Sequence, residues 1–172
     1  MMIPSQTELV LVRDVLSALL HGTIAGLAPP WTLGLIESRW GPPECSEARG
    51  AADELVFSRL HCNVWCRAGV VEHLKLATWL SPAELAAPAV LAAFSAAERS
   101  WIASMLHGPE AFAAQCLTHG IGRCARNNAL VEAVGPLEGF VVVEAPHPGC
   151  EDGASFVTIL VVCDPEQRRS VR

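Results

Sequence analysis

The segment from Leu60 to Ala77 constrains the fold of this chain more than any other. It reads Leu60-His61-Cys62-Asn63-Val64-Trp65-Cys66, then Arg67-Ala68-Gly69, then Val70-Val71-Glu72-His73-Leu74-Lys75-Leu76-Ala77. Apolar and polar residues alternate on both sides of a short glycine-bearing break, which predicts an antiparallel hairpin with one buried face. Gly69 supplies the left-handed position of a three-residue loop. Pairing outward from that loop sets Cys66 against Val70, Val64 against Glu72, Cys62 against Leu74 and Leu60 against Leu76, and assigns this face to the core, apart from Glu72 near the turn. The opposite face then carries Arg59, His61, Asn63 and Trp65 beside Val71, His73, Lys75 and Ala77. Tryptophan and arginine are enriched in binding hot spots, so Arg59, His61, Asn63, Trp65, His73 and Lys75 are the candidate partner-binding residues. A solvated face with Trp65 lying flat under a neighbouring loop is the alternative.

Helices are legible on either side of this hairpin. Leu9, Val12, Leu16, Leu19 and Leu20 fall at helical spacing over Glu8 to Leu20, and Gly22 stops that helix. Thr32 is a helix N-cap for Leu33 to Trp40, which Gly41-Pro42-Pro43 ends. Strands are expected over Glu54 to Ser58, Arg59 to Cys66 and Val70 to Thr78. Ser81-Pro82-Ala83-Glu84 and Ser95-Ala96-Ala97-Glu98 are capping boxes, the second restarting a helix over Ala96 to Leu106. Gly108-Pro109 begins another helix ending at Gly120. A short apolar piece around Leu130 to Val134, a strand from Leu137 to Glu144, the loop Ala145 to Gly153 and a strand from Ser155 to Cys163 complete the chain, with a polar tail containing Arg168, Arg169 and Arg172. The last strand is apolar on both faces, which places it at the centre of the fold or at a subunit interface.

The two halves, 1–80 and 81–172, thus share an order: helices, then three antiparallel strands that are able to join in one sheet. This is an α+β class. Shifting the chain by 86 residues puts Leu20-His21-Gly22 on Leu106-His107-Gly108, Thr32 on Thr118, and Val71 and Leu74 on Val157 and Leu160. A shift of 77 fits the second helix and first strands better, which an internal duplication accommodates with a nine-residue insertion at Ala145 to Gly153.

Of the 172 residues, 12 are Lys or Arg and 18 Asp or Glu, a net charge of −6 that argues against a nucleic-acid binder. The start of the chain lacks the basic opening of a secretory signal, and Val15 to Ile36 is interrupted by His21, glycines and Pro29-Pro30, so a cytoplasmic protein without a membrane span is expected. In that setting the seven cysteines read as reduced, buried apolar residues rather than disulfides. Cys62 and Cys66 lie four strand steps, roughly 13 Å, apart, too far to share a zinc or a disulfide.

The order of helical hairpin, Trp40-Gly41-Pro42-Pro43-Glu44, short strand and hairpin to Thr78 resembles the unit that occurs twice in β-lactamase inhibitor proteins and once in small outer-membrane assembly lipoproteins. It is also similar to small bacterial immunity proteins that neutralise a toxin. The second half shares only the order of elements, since Asn127-Asn128 replaces the Gly-Pro turn. The resemblance implies protein binding by a sheet face, with no catalysis. The constellations that suggest an enzyme fit poorly. Gly120-Ile121-Gly122-Arg123-Cys124-Ala125 has the form of a dinucleotide loop but follows a helix rather than a strand. His147, Cys150, Glu151 and Asp152 match no common ligand spacing. His21 and His107 precede helix-ending glycines, where an imidazole caps carbonyls. The expectation is therefore a cytoplasmic immunity-type inhibitor that uses no catalytic residue, metal or cofactor, occludes a toxin or enzyme partner, and contacts neither nucleic acid nor membrane. Two alternatives stay open: a small enzyme or ligand-binding protein using Cys124, His119 or His147 in a pocket between the halves, and a homo-oligomeric structural subunit.

Overall fold

The computed structural model describes residues 3–77, 80–107, 109–118, 124–127, 130–134, 138–144 and 156–163. Helix α1 runs Gln6–His21 and starts in a capping box: Ser5 Oγ accepts from the Glu8 amide, and Glu8 Oε2 accepts from the Ser5 amide. Gly22 ends it in the left-handed conformation, its amide donating to Ala18 O. Helix α2, Leu33–Trp40, starts at Thr32 and stops at Gly41, as the sequence predicts. Helices α3 (Pro82–Leu85), α4 (Pro88–Ala93), α5 (Ala96–Leu106) and α6 (Pro109–Thr118) follow the first set of strands. The break between α3 and α4 falls at Pro88, whose ring cannot sit inside a continuing helix.

Eight strands lie among the described residues: β1 (Cys45–Arg49), β2 (Ala52–Phe57), β3 (Cys62–Arg67), β4 (Val70–Leu76), β5 (Cys124–Asn127), β6 (Leu130–Val134), β7 (Glu138–Glu144) and β8 (Phe156–Val162). They form one antiparallel sheet in the order β1-β2-β3-β4-β8-β7-β6-β5. Each half therefore contributes four strands rather than three. The extra ones, β1 and β5, occupy the two edges, and β1 is exposed along its whole length, so it carries no apolar alternation to announce it. The last strand, β8, is central, between β4 and β7, and that position accounts for its apolar character.

The hairpin of β3 and β4 departs from its expected register. Its turn has two residues, Ala68 and Gly69, both left-handed at φ 49° and 76°. Trp65 pairs with His73 but Cys66 with Val71, so Glu72 is an extra residue in β4, a bulge. The shorter turn and the bulge each move the pairing by one residue, so the body of the hairpin is shifted by two: Val64 faces Leu74 and Cys62 faces Leu76. A shift of two preserves the faces, because side chains alternate with period two. Near the turn it does not, and Val71, expected outside, is buried in the core. The segment before α2 clamps this turn, Leu33 N donating to Gly69 O and Val71 N to Trp31 O. Residues 58–61, expected in a strand, form a turn with positive φ at Ser58 and His61.

The inner face of the sheet supplies Leu55, Phe57, Cys62, Val64, Leu74, Leu76, Ile159 and Val161 to a single core with α1, α2, α4 and α5. Trp40 of α2 meets the Phe57 ring edge-on at 5.5 Å. One polar node sits in this interface. Asp14 of α1 accepts both Arg39 Nε (2.6 Å) and Nη2 (2.7 Å) and, from Trp40, Nε1 (2.9 Å). That arrangement ties α1 to α2 through a carboxylate whose buried oxygens are satisfied, and it raises the Arg39 pKa, chiefly through the hydrogen bond to Asp14.

Candidate functional site on the outer face of the sheet

The outer face of β3 and β4 is built by the alternation that buries the inner one. Register sets Glu54, Trp65, His73 and Val162 in one row across β2, β3, β4 and β8. The adjacent row holds Val56, Asn63, Lys75 and Leu160. Trp65 stacks on His73 with ring centroids 4.3 Å apart and planes 25° from parallel. Both rings are half-buried, and none of Asn63, Trp65, His73 or Lys75 belongs to the core cluster. Burial lowers the His73 pKa, although the carboxylates of Glu72 and Glu54 work in the opposite direction. The imidazole is thus predominantly neutral at neutral pH, which suits a stack on an indole.

The charges around the stack are internally compensated. Asn63 Nδ2 donates to Glu54 Oε1 at 2.6 Å, Arg49 bridges Glu47 and Glu54 at 2.8 and 3.1 Å, and Arg67 Nε meets Glu72 Oε1 at 2.6 Å across the bulge. The stack is consequently flanked by paired charges on the β1–β2 side and at the turn, and by Val162 on the β8 side.

The structure brings Asn63, Trp65, His73 and Lys75 together and leaves Arg59 and His61 outside the strands. Arg59 lies in the turn before β3, where it joins Glu8 of α1 (2.9 Å) and Glu84 of α3 (2.8 Å). Its pKa is raised first by the hydrogen bond to Glu84. Glu84, which burial alone would push up, is held below the usual carboxylate range by the Ser81 amide and by Arg59. Arg59 therefore links α1 to α3. His61 is exposed at the turn, its amide donating to Ser58 O. Glu54, Val56, Leu160 and Val162 share the face but were not legible as site residues, because the placement of Glu54 and Val56 requires the pairing of β2 with β3, and that of Leu160 and Val162 the pairing of β4 with β8.

The remaining sequence candidates place differently. Cys62 and Cys66 are buried; burial pushes the Cys62 thiol far above its ordinary value and, with Asp53, Glu72 and Glu37 nearby, pushes Cys66 up to about 11. Cys163 is also buried, and Cys45 is exposed on β1. Among the described residues no group of three His, Cys, Asp or Glu side chains is arranged to hold a metal. His21 and His107 sit at the ends of α1 and α5. His119, His147, Cys150, Glu151, Asp152, the stretch 119–123 and the tail from 164 lie outside the described residues; Cys124 is placed in β5 by its backbone alone. No described helix is long and apolar enough to cross a membrane.

No protein-family model matches this chain, and no curated protein matches it. Among solved structures it is similar to a cysteine-rich secretory protein of Staphylococcus aureus, with 8% sequence identity and a TM-score of 0.39. The alignment covers 79% of this chain and 43% of that one, so the chain spans less than half of that protein's length.

Proposed function

We propose that this chain is a cytoplasmic protein-binding protein of the immunity-inhibitor kind, which occludes a toxin or enzyme partner with the outer face of its sheet. The observation that carries this reading is the half-buried Trp65–His73 stack in the middle of that face, outside the core. A large aromatic with polar and apolar neighbours is the composition of an interface hot spot, whose energy comes from a central desolvated anchor. The compensated charges favour a partner recognised through shape and the indole rather than an acidic partner drawn by free arginines.

The resemblance to tandem inhibitors has a supporting regularity. An offset of 86 residues carries β4, Val70–Leu76, onto β8, Phe156–Val162, end to end. Their pairing is symmetric under the same offset: the pair His73–Val162 exchanges with Leu76–Ile159. Duplicated halves meeting through their last strands would produce such a pairing.

The test is capture of partners from the native host on immobilised protein, comparing wild type with Trp65→Ala and with Lys75→Ala. A specific partner should lose about 2 kcal/mol or more of affinity with Trp65→Ala while the variant stays folded. Unchanged affinity in a folded Trp65→Ala variant removes this face from the site.

A further inference from the structure

A second surface, on the helical side, has the chemistry of a small-ligand site. Helix α5 presents Arg99, Ala103, Leu106 and His107, which lie along one side of the helix over about 12 Å. Opposite them, Pro82, Leu85 and Ala86 from the α3 region and Leu91 from α4 close an open groove of about 330 Å³. Its lining is largely apolar, and Leu91 is 41% exposed there. The volume is at the small end of the range for small-molecule sites.

The charge at this groove is what distinguishes it. Arg13, Arg39, Arg49, Arg59 and Arg67 each pair with a carboxylate of this chain. Arg99 does not. Its Nη1 donates to the Leu91 and Phe94 carbonyls at the end of α4, and among the described residues no carboxylate meets its guanidinium. The carboxylate on α3, Glu84, is already engaged by Arg59. A guanidinium with no carboxylate partner among the described residues, held in place beside an apolar groove, favours a ligand with an anionic head and an aliphatic body, because the cation offers charge-assisted hydrogen bonds where most of the lining, His107 apart, offers only contact area.

We infer that the α3–α5 groove binds a medium-chain aliphatic carboxylate, its head on Arg99 and its chain along Leu85, Leu91, Ala103 and Leu106. This site is independent of the outer sheet face and stands or falls separately from it.

The experiment is calorimetric titration of the full chain with hexanoate, octanoate, decanoate and dodecanoate, and with decan-1-ol as the uncharged comparison. Affinity should rise by roughly fourfold per added methylene, the equivalent of about 0.8 kcal/mol, until the groove is filled. Decanoate should bind at least about tenfold more tightly than decan-1-ol, as expected for a charge-assisted contact. Ala103→Trp, which fills the groove from a half-buried helix position, should abolish binding of both. Arg99→Gln should bring the acid down to the level of the alcohol, and Arg99→Lys should retain part of the difference. Since Arg99 also caps α4, the acid–alcohol comparison on the unaltered protein decides the charge component without any variant. Absence of saturable decanoate binding, equal binding of acid and alcohol, or undiminished binding in folded Ala103→Trp would overturn the inference. Binding of an acidic amphipathic peptide but of no fatty acid in the series would likewise overturn it, by assigning the groove to a protein segment.

Discussion

The two faces of the β3–β4 hairpin come from the same residues in alternation, yet they solve opposite problems. On the inner face Cys62, Val64, Leu74 and Leu76 are wholly excluded from water and pack on α1 and its neighbours. On the outer face Asn63, Trp65, His73 and Lys75 are half-buried and held by a stack and by paired charges. The difference separates side chains whose removal costs folding energy from those able to spend theirs on a partner.

Thiol chemistry should reveal the largest contrast. Cys62 and Cys66 combine burial with raised pKa values, whereas Cys45 is exposed on the edge strand β1. In the native protein at pH 8, alkylation followed by peptide mass analysis should find Cys45 modified at least about a thousandfold faster than Cys62 or Cys66, whose reaction waits on opening of the core. Comparable rates would mean that the inner face is not a closed core.

Among substitutions, Leu74→Ala should cost the most, about 3 kcal/mol of folding stability by denaturant titration. Lys75→Ala, one residue away on the opposite face, should cost less than about 1 kcal/mol. Asp14→Ala should fall just below the leucine, at about 2–3 kcal/mol, because it strands the Arg39 guanidinium and the buried Trp40 Nε1 together. Trp65→Ala should cost about 1–2 kcal/mol, the worth of a half-buried aromatic pair. A loss above about 3 kcal/mol would place Trp65 in the folding core and erase the contrast between faces.

How much of this was legible follows from the same comparison. Period-two alternation gave both faces of the hairpin, and the capping signals at Ser5 excepted, Thr32, Gly41, Ser81 and Ser95 marked helix boundaries that the structure retains. What escaped were features without periodicity. The Glu72 bulge inserts one residue with no composition of its own, and together with the two-residue turn it brings Val71 to the core. Strand β1 is polar on both sides and exposed, so only its pairing with β2 identifies it. Arg59 read as part of a strand face because the positive φ at Ser58 and His61, which makes the segment a turn, belongs to non-glycine residues. The pairing of β4 with β8 joins residues some 86 positions apart, beyond any local signal, and with it went the placement of Val162 beside His73.

The smallest expected effect is the pH response of His73, and its sign tests the outer face directly. Burial under the Trp65 ring depresses its pKa below the ordinary histidine value of about 6.5, against the pull of Glu72 and Glu54 and with Lys75 two residues along the same strand. Between the depressed folded value and 6.5 the unfolded chain binds the proton and the folded chain does not, so stability is complete above 6.5 and declines as the pH falls through that window. His73→Gln should flatten this part of the stability profile while leaving the acid limb, where Glu84 loses its hold on Arg59, in place. A partner that covers the stack would deepen the desolvation, so its affinity should fall with pH over the same window in the unaltered protein and not in His73→Gln. A stability profile rising as the pH drops from 7 to 5 would mean that the imidazole is stabilised as a cation by Glu54 and Glu72, and would turn the proposed aromatic anchor into a charged one.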